Sequence, residues 1–219
     1  MNIFLKKIAN AFHDRLWRAP RGLGRPIAAS AWDINFASGN WEYLSNLSET
    51  SRYAIIHNYA VRLISPARIL DIGCGAGVLR SFFDEDEFVS YVGLDLSGEA
   101  IRLSKSRNFP STSFLVVDFD EYVLDTAHDI IIFNESIGYA ADPGKTFKRY
   151  WDTLPQGKIV IISTHDYDIR SRASWKRIER HAKPQYSSKL INEQGQIWDV
   201  RVFIKEPSSC SGEINCENS

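Results

Sequence analysis

Short runs dominated by Ile, Val, Leu and Phe recur along the chain: Arg68–Ile72, Phe88–Asp95, Ser113–Phe119, Asp129–Phe133 and Ile159–Ser163. Runs so short and so continuously apolar read as strands buried on both faces. Helical patterns alternate with them. Ser48 to Ile64 reads as a helix, with hydroxyl residues available as caps and Pro66 ending it. Val78–Phe83 reads as the start of another, and Gly98–Ser106, Lys145–Leu154 and Arg172–His181 read as further helices. Pro184–Asn192 and Gln196–Lys205 read as a hairpin around Glu193-Gln194-Gly195, with Val200, Val202 and Ile204 alternating with polar or charged partners. Strands alternating with helices define an open α/β sheet.

The ends of the chain follow other patterns. Met1 to Trp17 sets Phe4, Ile8, Phe12 and Leu16 at helical spacing among Lys6, Lys7, Arg15 and Arg18. Such a basic amphipathic helix suits docking on the domain or a partner subunit, peripheral contact with an anionic membrane, or targeting. The last lacks a small-residue cleavage site after an uninterrupted apolar region. Trp32 to Leu44 is dense in aromatics without a clear period. Residues 206–219 are rich in Ser, Glu, Asn and Cys and read as a disordered tail. The expected organisation is therefore an N-terminal helix and aromatic segment (1–50), a ligand-binding domain (51–205) and a tail.

The most informative stretch is Asp71-Ile72-Gly73-Cys74-Gly75-Ala76-Gly77, between the first strand and the helix expected after it. A strand that turns at once toward a helix needs backbone angles that a Cβ disfavours, and a turn without Cβ atoms lets a ligand lie on the backbone. Open α/β folds bind ligands beyond the carboxyl ends of their strands. The dinucleotide fingerprint needs a small residue three places after its second glycine, where this chain has Val78. A dinucleotide-dependent oxidoreductase is thereby disfavoured. The alternating glycines behind an acid resemble motif I of the class I S-adenosylmethionine-dependent methyltransferases. Later strands repeat the resemblance in order. The second ends in Asp95-Leu96, the acid lying 18 residues after Gly77. The third ends in Asp118-Phe119, the fourth in Asn134-Glu135, and Leu154-Pro155-Gln156-Gly157 precedes the fifth.

The resemblance implies a seven-stranded, mostly parallel sheet with helices on both faces and a C-terminal antiparallel hairpin, and S-adenosyl-L-methionine as cofactor. It assigns the cofactor to Asp71, Gly73, Cys74, Gly75, Gly77, Asp95, Leu96, Asp118, Phe119 and Asn134. Asp95 would hold both ribose hydroxyls and Asp118 the adenine amino group. Each also has a plain reading, Asp95 as a helix cap and Asp118 as a loop residue beside Asp120. Arg52 would reach the cofactor carboxylate or form a surface ion pair. The aromatic segment would cover the cofactor or fill core beside the sheet, and Trp41, Tyr43 and Tyr139 are candidates for acceptor binding. His165 and Glu135 are candidate general bases, and the unperturbed imidazole pKa suits the role.

Composition narrows the function. A formal net charge of -1 over 219 residues gives no basic excess for nucleic acid, and three cysteines make no disulfide framework. No apolar run approaches the roughly 20 residues of a membrane span. These features suit a reducing, cytoplasmic setting. No metal-ligand spacing is present. The expected activity is methyl transfer to oxygen or nitrogen of a small metabolite, such as a sugar or secondary-metabolite intermediate. The alternatives are a cofactor-binding but catalytically silent partner subunit and, less well supported, a protein or nucleic-acid methyltransferase. Oligomeric state is not readable from the sequence.

Overall fold

The structure, a computed structural model, describes residues 12–124, 128–166 and 168–206. Most of the basic N-terminal helix, and all of the expected tail except Glu206, lie outside the described residues. Seven strands form one sheet: β1 (Ala67–Ile72), β2 (Phe88–Asp95), β3 (Thr112–Val116), β4 (Ile130–Asn134), β5 (Ile159–His165), β6 (Tyr186–Ile191) and β7 (Ile197–Ile204). Their spatial order is β3-β2-β1-β4-β5-β7-β6. β1 pairs in parallel with both β2 and β4, and β7 runs antiparallel to β5 and β6. The sheet is thus the expected one, closed by the expected hairpin.

Five α-helices lie wholly within the described residues: α1 (Ala29–Ala37), α2 (Leu47–Leu63), α3 (Gly98–Ser106), α4 (Pro143–Thr153) and α5 (Ile169–Ile178). The central strands are buried on both faces because alternate side chains point opposite ways. Ile69, Ile132, Ile161 and Val202 pack on one face with Tyr53, Ile56 and Ala60 of α2 and Ile101 of α3. Leu70, Ile131, Val160 and Phe203 pack on the other with Phe147 and Tyr150 of α4 and Trp175 and Ile178 of α5. Local sequence starts three of these helices. Ser97 accepts from Ala100 N, Asp142 from Gly144 N and Lys145 N, and Asp168 from Ser171 N. Each satisfies backbone donors that the first turn leaves without partners.

Several expectations change. The helix expected over Val78–Phe83 is a single 3₁₀ turn, Leu79–Phe82. Arg80 ends it, donating from Nη1 to Phe83 O at 2.8 Å while its guanidinium packs over Phe88. The helix expected from Ser48 begins at Leu47, behind Asn46, with no side-chain cap. It also runs through residue 50, so the domain division drawn there falls inside a helix. The aromatic segment, without a visible period, begins within α1 and ends in a 3₁₀ turn, Glu42–Ser45.

The sheet ends away from the glycine turn are tied by charge. Asp129, just before β4, accepts from Arg68 N at 2.8 Å, from Arg68 Nε and Nη2 at 3.0 and 3.1 Å, and pairs with Lys158 at 2.6 Å. Burial opposes the charged form, but these donors outweigh it and hold the carboxyl well below the usual range. A depressed folded pKa stabilises above the unfolded pKa of about 3.9 and is lost as pH falls through the folded value. Asp129→Asn should therefore flatten the acid limb of the stability curve below about pH 4, read by urea unfolding at stepped pH.

Candidate active site

The parallel strands β1, β2 and β4 all end at one edge of the sheet, and a cavity of about 600 Å³ opens there. Gly73, Cys74 and Gly75 form part of its wall. Gly73 N and Cys74 N both donate to Leu94 O, at 2.7 and 2.9 Å, which folds the turn over the end of β2. Gly73 has φ +74°, and a Cβ there would lie 2.4 Å from Ser136 Cβ, so glycine is required by conformation and by space. Gly75 has φ +54°, and its missing side chain leaves backbone bare at the cavity wall.

Asp95 and Leu96 line the cavity beside this turn. The Asp95 carboxylate accepts from Gly75 N at 2.9 Å and Ser97 N at 2.8 Å. The cap of α3 is Ser97, so Asp95 ties the glycine turn to the loop after β2 and does not cap the helix itself. Burial raises its carboxyl above the ordinary value, against the pull of those N–H groups. Asp118 and Phe119 lie on the wall as well, with Asp120. Asp118 accepts from Asp120 N at 2.9 Å, and Asp120 accepts from Thr146 Oγ1 at 2.7 Å.

Two of the residues assigned to the cofactor are not part of the cavity wall. Asp71 is fully buried and is not part of the wall; it accepts from Tyr91 OH at 2.7 Å. Gly77 is also behind the wall, against Phe114 and Ser104. The alternation of β1 side chains turns Asp71 into the core, so its role is beneath the turn.

At the other end, β4 delivers Asn134 and Glu135 and β5 delivers His165, which belongs to the strand and not to the loop after it. Glu135 has φ +60°, a conformation a non-glycine residue adopts only when its surroundings hold it. Its carboxylate accepts from His165 N at 2.9 Å and sits 3.0 Å from Ser163 Oγ. Burial raises the Glu135 carboxyl, with Arg52 pulling the other way, and burial lowers the His165 imidazole. Arg52 is 2% exposed, so its ion pair with Glu49 is buried and not at the surface. Arg52 also donates to Tyr53 OH at 3.0 Å and to Asn134 Oδ1 at 3.3 Å.

The aromatic segment lines the cavity and joins neither core layer. Trp32 meets Trp41 at 5.6 Å between ring centroids and Tyr139 edge-on at 4.8 Å; Tyr43 lies 5.9 Å from Trp41. The Trp41 indole N–H is buried without a protein partner. Asp33 of α1 accepts from Ser97 Oγ at 2.6 Å and Glu99 N at 3.1 Å. Glu49, Tyr53, Gln196 and Trp198 complete the wall without having been singled out in the sequence. The i,i+3 spacing of Glu49 and Arg52 was the available signal for that pair. Among the described residues, no group of three or more His, Cys, Asp or Glu is placed to hold a metal ion, and no helix is long and apolar enough to cross a membrane.

A methyltransferase-domain family profile matches residues 43–196, most of the chain, and the chain belongs to that family. It has the fold of the class I S-adenosylmethionine-dependent methyltransferases, a family whose cofactor is S-adenosylmethionine. It is 26% identical over 160 residues to trans-aconitate 2-methyltransferase of Acidovorax ebreus, covering 67% of this chain and 60% of that protein. The chain thus spans about 60% of the length of the curated relatives it matches. Among solved structures it is similar to the N-methyltransferase NodS from Bradyrhizobium japonicum bound to S-adenosylhomocysteine. The TM-score is 0.71 at 13% identity, over 82% of this chain and 98% of that one. It is also similar to the 1,6-didemethyltoxoflavin-N1-methyltransferase of Burkholderia thailandensis (TM-score 0.67, 17% identity, 82% and 87% covered). The residues present fit the cofactor chemically: a bare glycine backbone, a half-buried carboxylate beside it and the aromatic ring of Trp41 line one cavity.

Asp71 gives a test of how the turn is supported. Burial, with Tyr91 opposing and Asp95 assisting, raises its carboxyl from 3.8 to about 7. The folded state then binds the proton more tightly than the unfolded chain, so stability falls as pH rises from about 4 to about 7. Asp71→Asn should remove this slope, measured by urea unfolding across that range.

Proposed function

We propose that this protein transfers the methyl group of S-adenosylmethionine to an oxygen or nitrogen of a small molecule. The observation that carries the reading is one cavity whose wall brings together the glycine turn, Asp95, Glu135, His165 and the aromatic segment. S-adenosylmethionine supplies, when bound, an electrophilic methyl group on a positively charged sulfur. Asp95 offers two carboxylate oxygens to the ribose hydroxyls, beyond the backbone donors it already serves. Asp118 accepts from the adenine amino group and Phe119 packs on the ring. Gly73, Cys74 and Gly75 admit the cofactor to their backbone, Leu96 packs beside it, and Arg52 with Asn134 meets the amino-acid end. Trp41, Tyr43 and Tyr139 enclose the acceptor. Much of the rate enhancement comes from holding the reacting atoms in line and keeping water out.

Where the acceptor must lose a proton, His165 takes it. Burial keeps the imidazole neutral near pH 7, the form that accepts a proton. Glu135 fixes the His165 backbone through its N–H and places a carboxylate at the same end. α1 and the aromatic segment wall a cavity of about 600 Å³, a size that suits a small acceptor. The names of the curated relatives, methyltransferases of trans-aconitate, support a small-molecule acceptor too.

Calorimetry should detect S-adenosylhomocysteine binding to the purified protein. Asp95→Ala should weaken it by about 1–3 kcal/mol, the loss of charge-assisted bonds, and Asp95→Asn by less. Unchanged affinity in a folded Asp95→Ala variant would remove the ribose assignment. With an acceptor in hand, His165→Asn should lower kcat by about 10²-fold and abolish the acid limb of kcat/KM, which lies below pH 6.5. An unaltered limb would pass the proton-accepting role to Glu135.

A further inference from the structure

The charge on the cavity wall is one-sided. Among the described lining residues, Glu49, Asp95, Asp118, Asp120 and Glu135 are acids, and Arg52 is the one lysine or arginine. Arg52 is already engaged by Glu49, Tyr53 and Asn134, and its remaining N–H groups face the cofactor carboxylate in the reading above. The only other basic side chain on the wall is His165, which burial keeps neutral near pH 7. Among the described lining residues no cation is left for an anionic acceptor. A carboxylate taken from water into such a site would lose its hydration with nothing to replace it.

The remaining surface suits the opposite charge. Trp32 packs against Trp41 and Tyr139 at centroid separations of 5.6 and 4.8 Å, and all three line the same cavity as Glu135. Aromatic faces attract cations, most strongly where water is excluded. Glu135 is held in a left-handed conformation with its carboxyl group pinned by His165 N–H, so the group is placed before any ligand arrives. The bound cofactor brings a single net positive charge, fewer than the wall's excess of acids.

We propose that the acceptor is an amine, drawn in as its ammonium by Glu135 and the aromatic wall of Trp32, Trp41 and Tyr139, and that polycarboxylic acids are rejected. This rests on the methyltransferase reading above and narrows it from oxygen or nitrogen to nitrogen. The ammonium first gives a proton to the His165 imidazole. The freed nitrogen lone pair then forms the C–N bond to the transferred methyl, the C–S bond breaks, and its electron pair stays on sulfur as the neutral thioether. The curated relatives named for trans-aconitate, a tricarboxylate, would on this account differ from this chain at the acceptor wall.

The test uses the whole protein saturated with S-adenosylhomocysteine, whose binding is measured first. Benzylamine, benzyl alcohol, phenylacetate and trans-aconitate are then titrated and followed by calorimetry and tryptophan fluorescence. Benzylamine should bind at least about tenfold more tightly than phenylacetate, with trans-aconitate giving no saturable signal. Glu135→Gln should shrink that preference to about threefold or less while leaving S-adenosylhomocysteine affinity within about threefold. A preference for either carboxylate, no binding of the amine, or a preference that survives in Glu135→Gln overturns the proposal. Should that variant fail to fold, the wild-type ranking alone decides. Failure of S-adenosylhomocysteine to bind would instead remove the methyltransferase reading itself, so the two failures are distinguishable.

Discussion

The parallel pairing of β1 with β2 on one side and β4 on the other is the constraint from which the rest of the site follows. Parallel neighbours end at the same edge, so the glycine turn, Asp95 and Asn134-Glu135 arrive side by side without any long-range design of loops. The turn after β1 must then pass against the segment after β4. The room for that passage is the absent side chain of Gly73, against Ser136. Ser136 in turn donates from its hydroxyl to Ile72 O. A larger residue at Gly73 would push apart the two strand ends that the cavity needs together.

Burial of polar groups around this edge is extensive, and each acid is handled differently. Asp95 is served by backbone N–H groups, Glu135 by a backbone N–H and a hydroxyl, Glu49 by a guanidinium, and Asp71 by a phenol. Backbone donors suit a carboxylate whose position must stay fixed while its oxygens remain at the cavity wall. A guanidinium neutralises its partner and leaves little field for a ligand. A single phenol donor only partly offsets the burial that raises the Asp71 carboxyl. The residues that can act on a ligand are thus separated from those that only support the turn.

Much of the fold is legible in the sequence because strands buried on both faces must be continuous apolar runs. Ile130–Phe133 and Ile159–Ile162 leave little choice, and Val200 and Val202 betray the antiparallel strand by alternation. Ser113–Phe119 is overextended as a strand, since its last residues leave the sheet after Val116 to form the turn opened by Asp118. α1 escapes notice for a different reason. None of its residues is buried in the core, and Trp32 and Phe36, one turn apart, face the cavity instead. Periodicity reports burial against protein, and a helix whose inner face is reserved for a ligand does not carry the usual stripe. The same limit explains Asp71. Motif spacing locates it correctly in the chain, but only the pleat of β1 decides which way its carboxyl points.

The attachment of α1 bears on how the cavity is reached. Asp33 reaches from this helix to the Ser97 hydroxyl and the Glu99 N–H, two and four residues past the strand end that carries Asp95. Lifting the helix would therefore strip an acceptor from the start of α3 and loosen the loop on which Asp95 sits. The aromatic helix and the loop that carries Asp95 are thus mechanically joined at this corner, and neither can shift without disturbing the other.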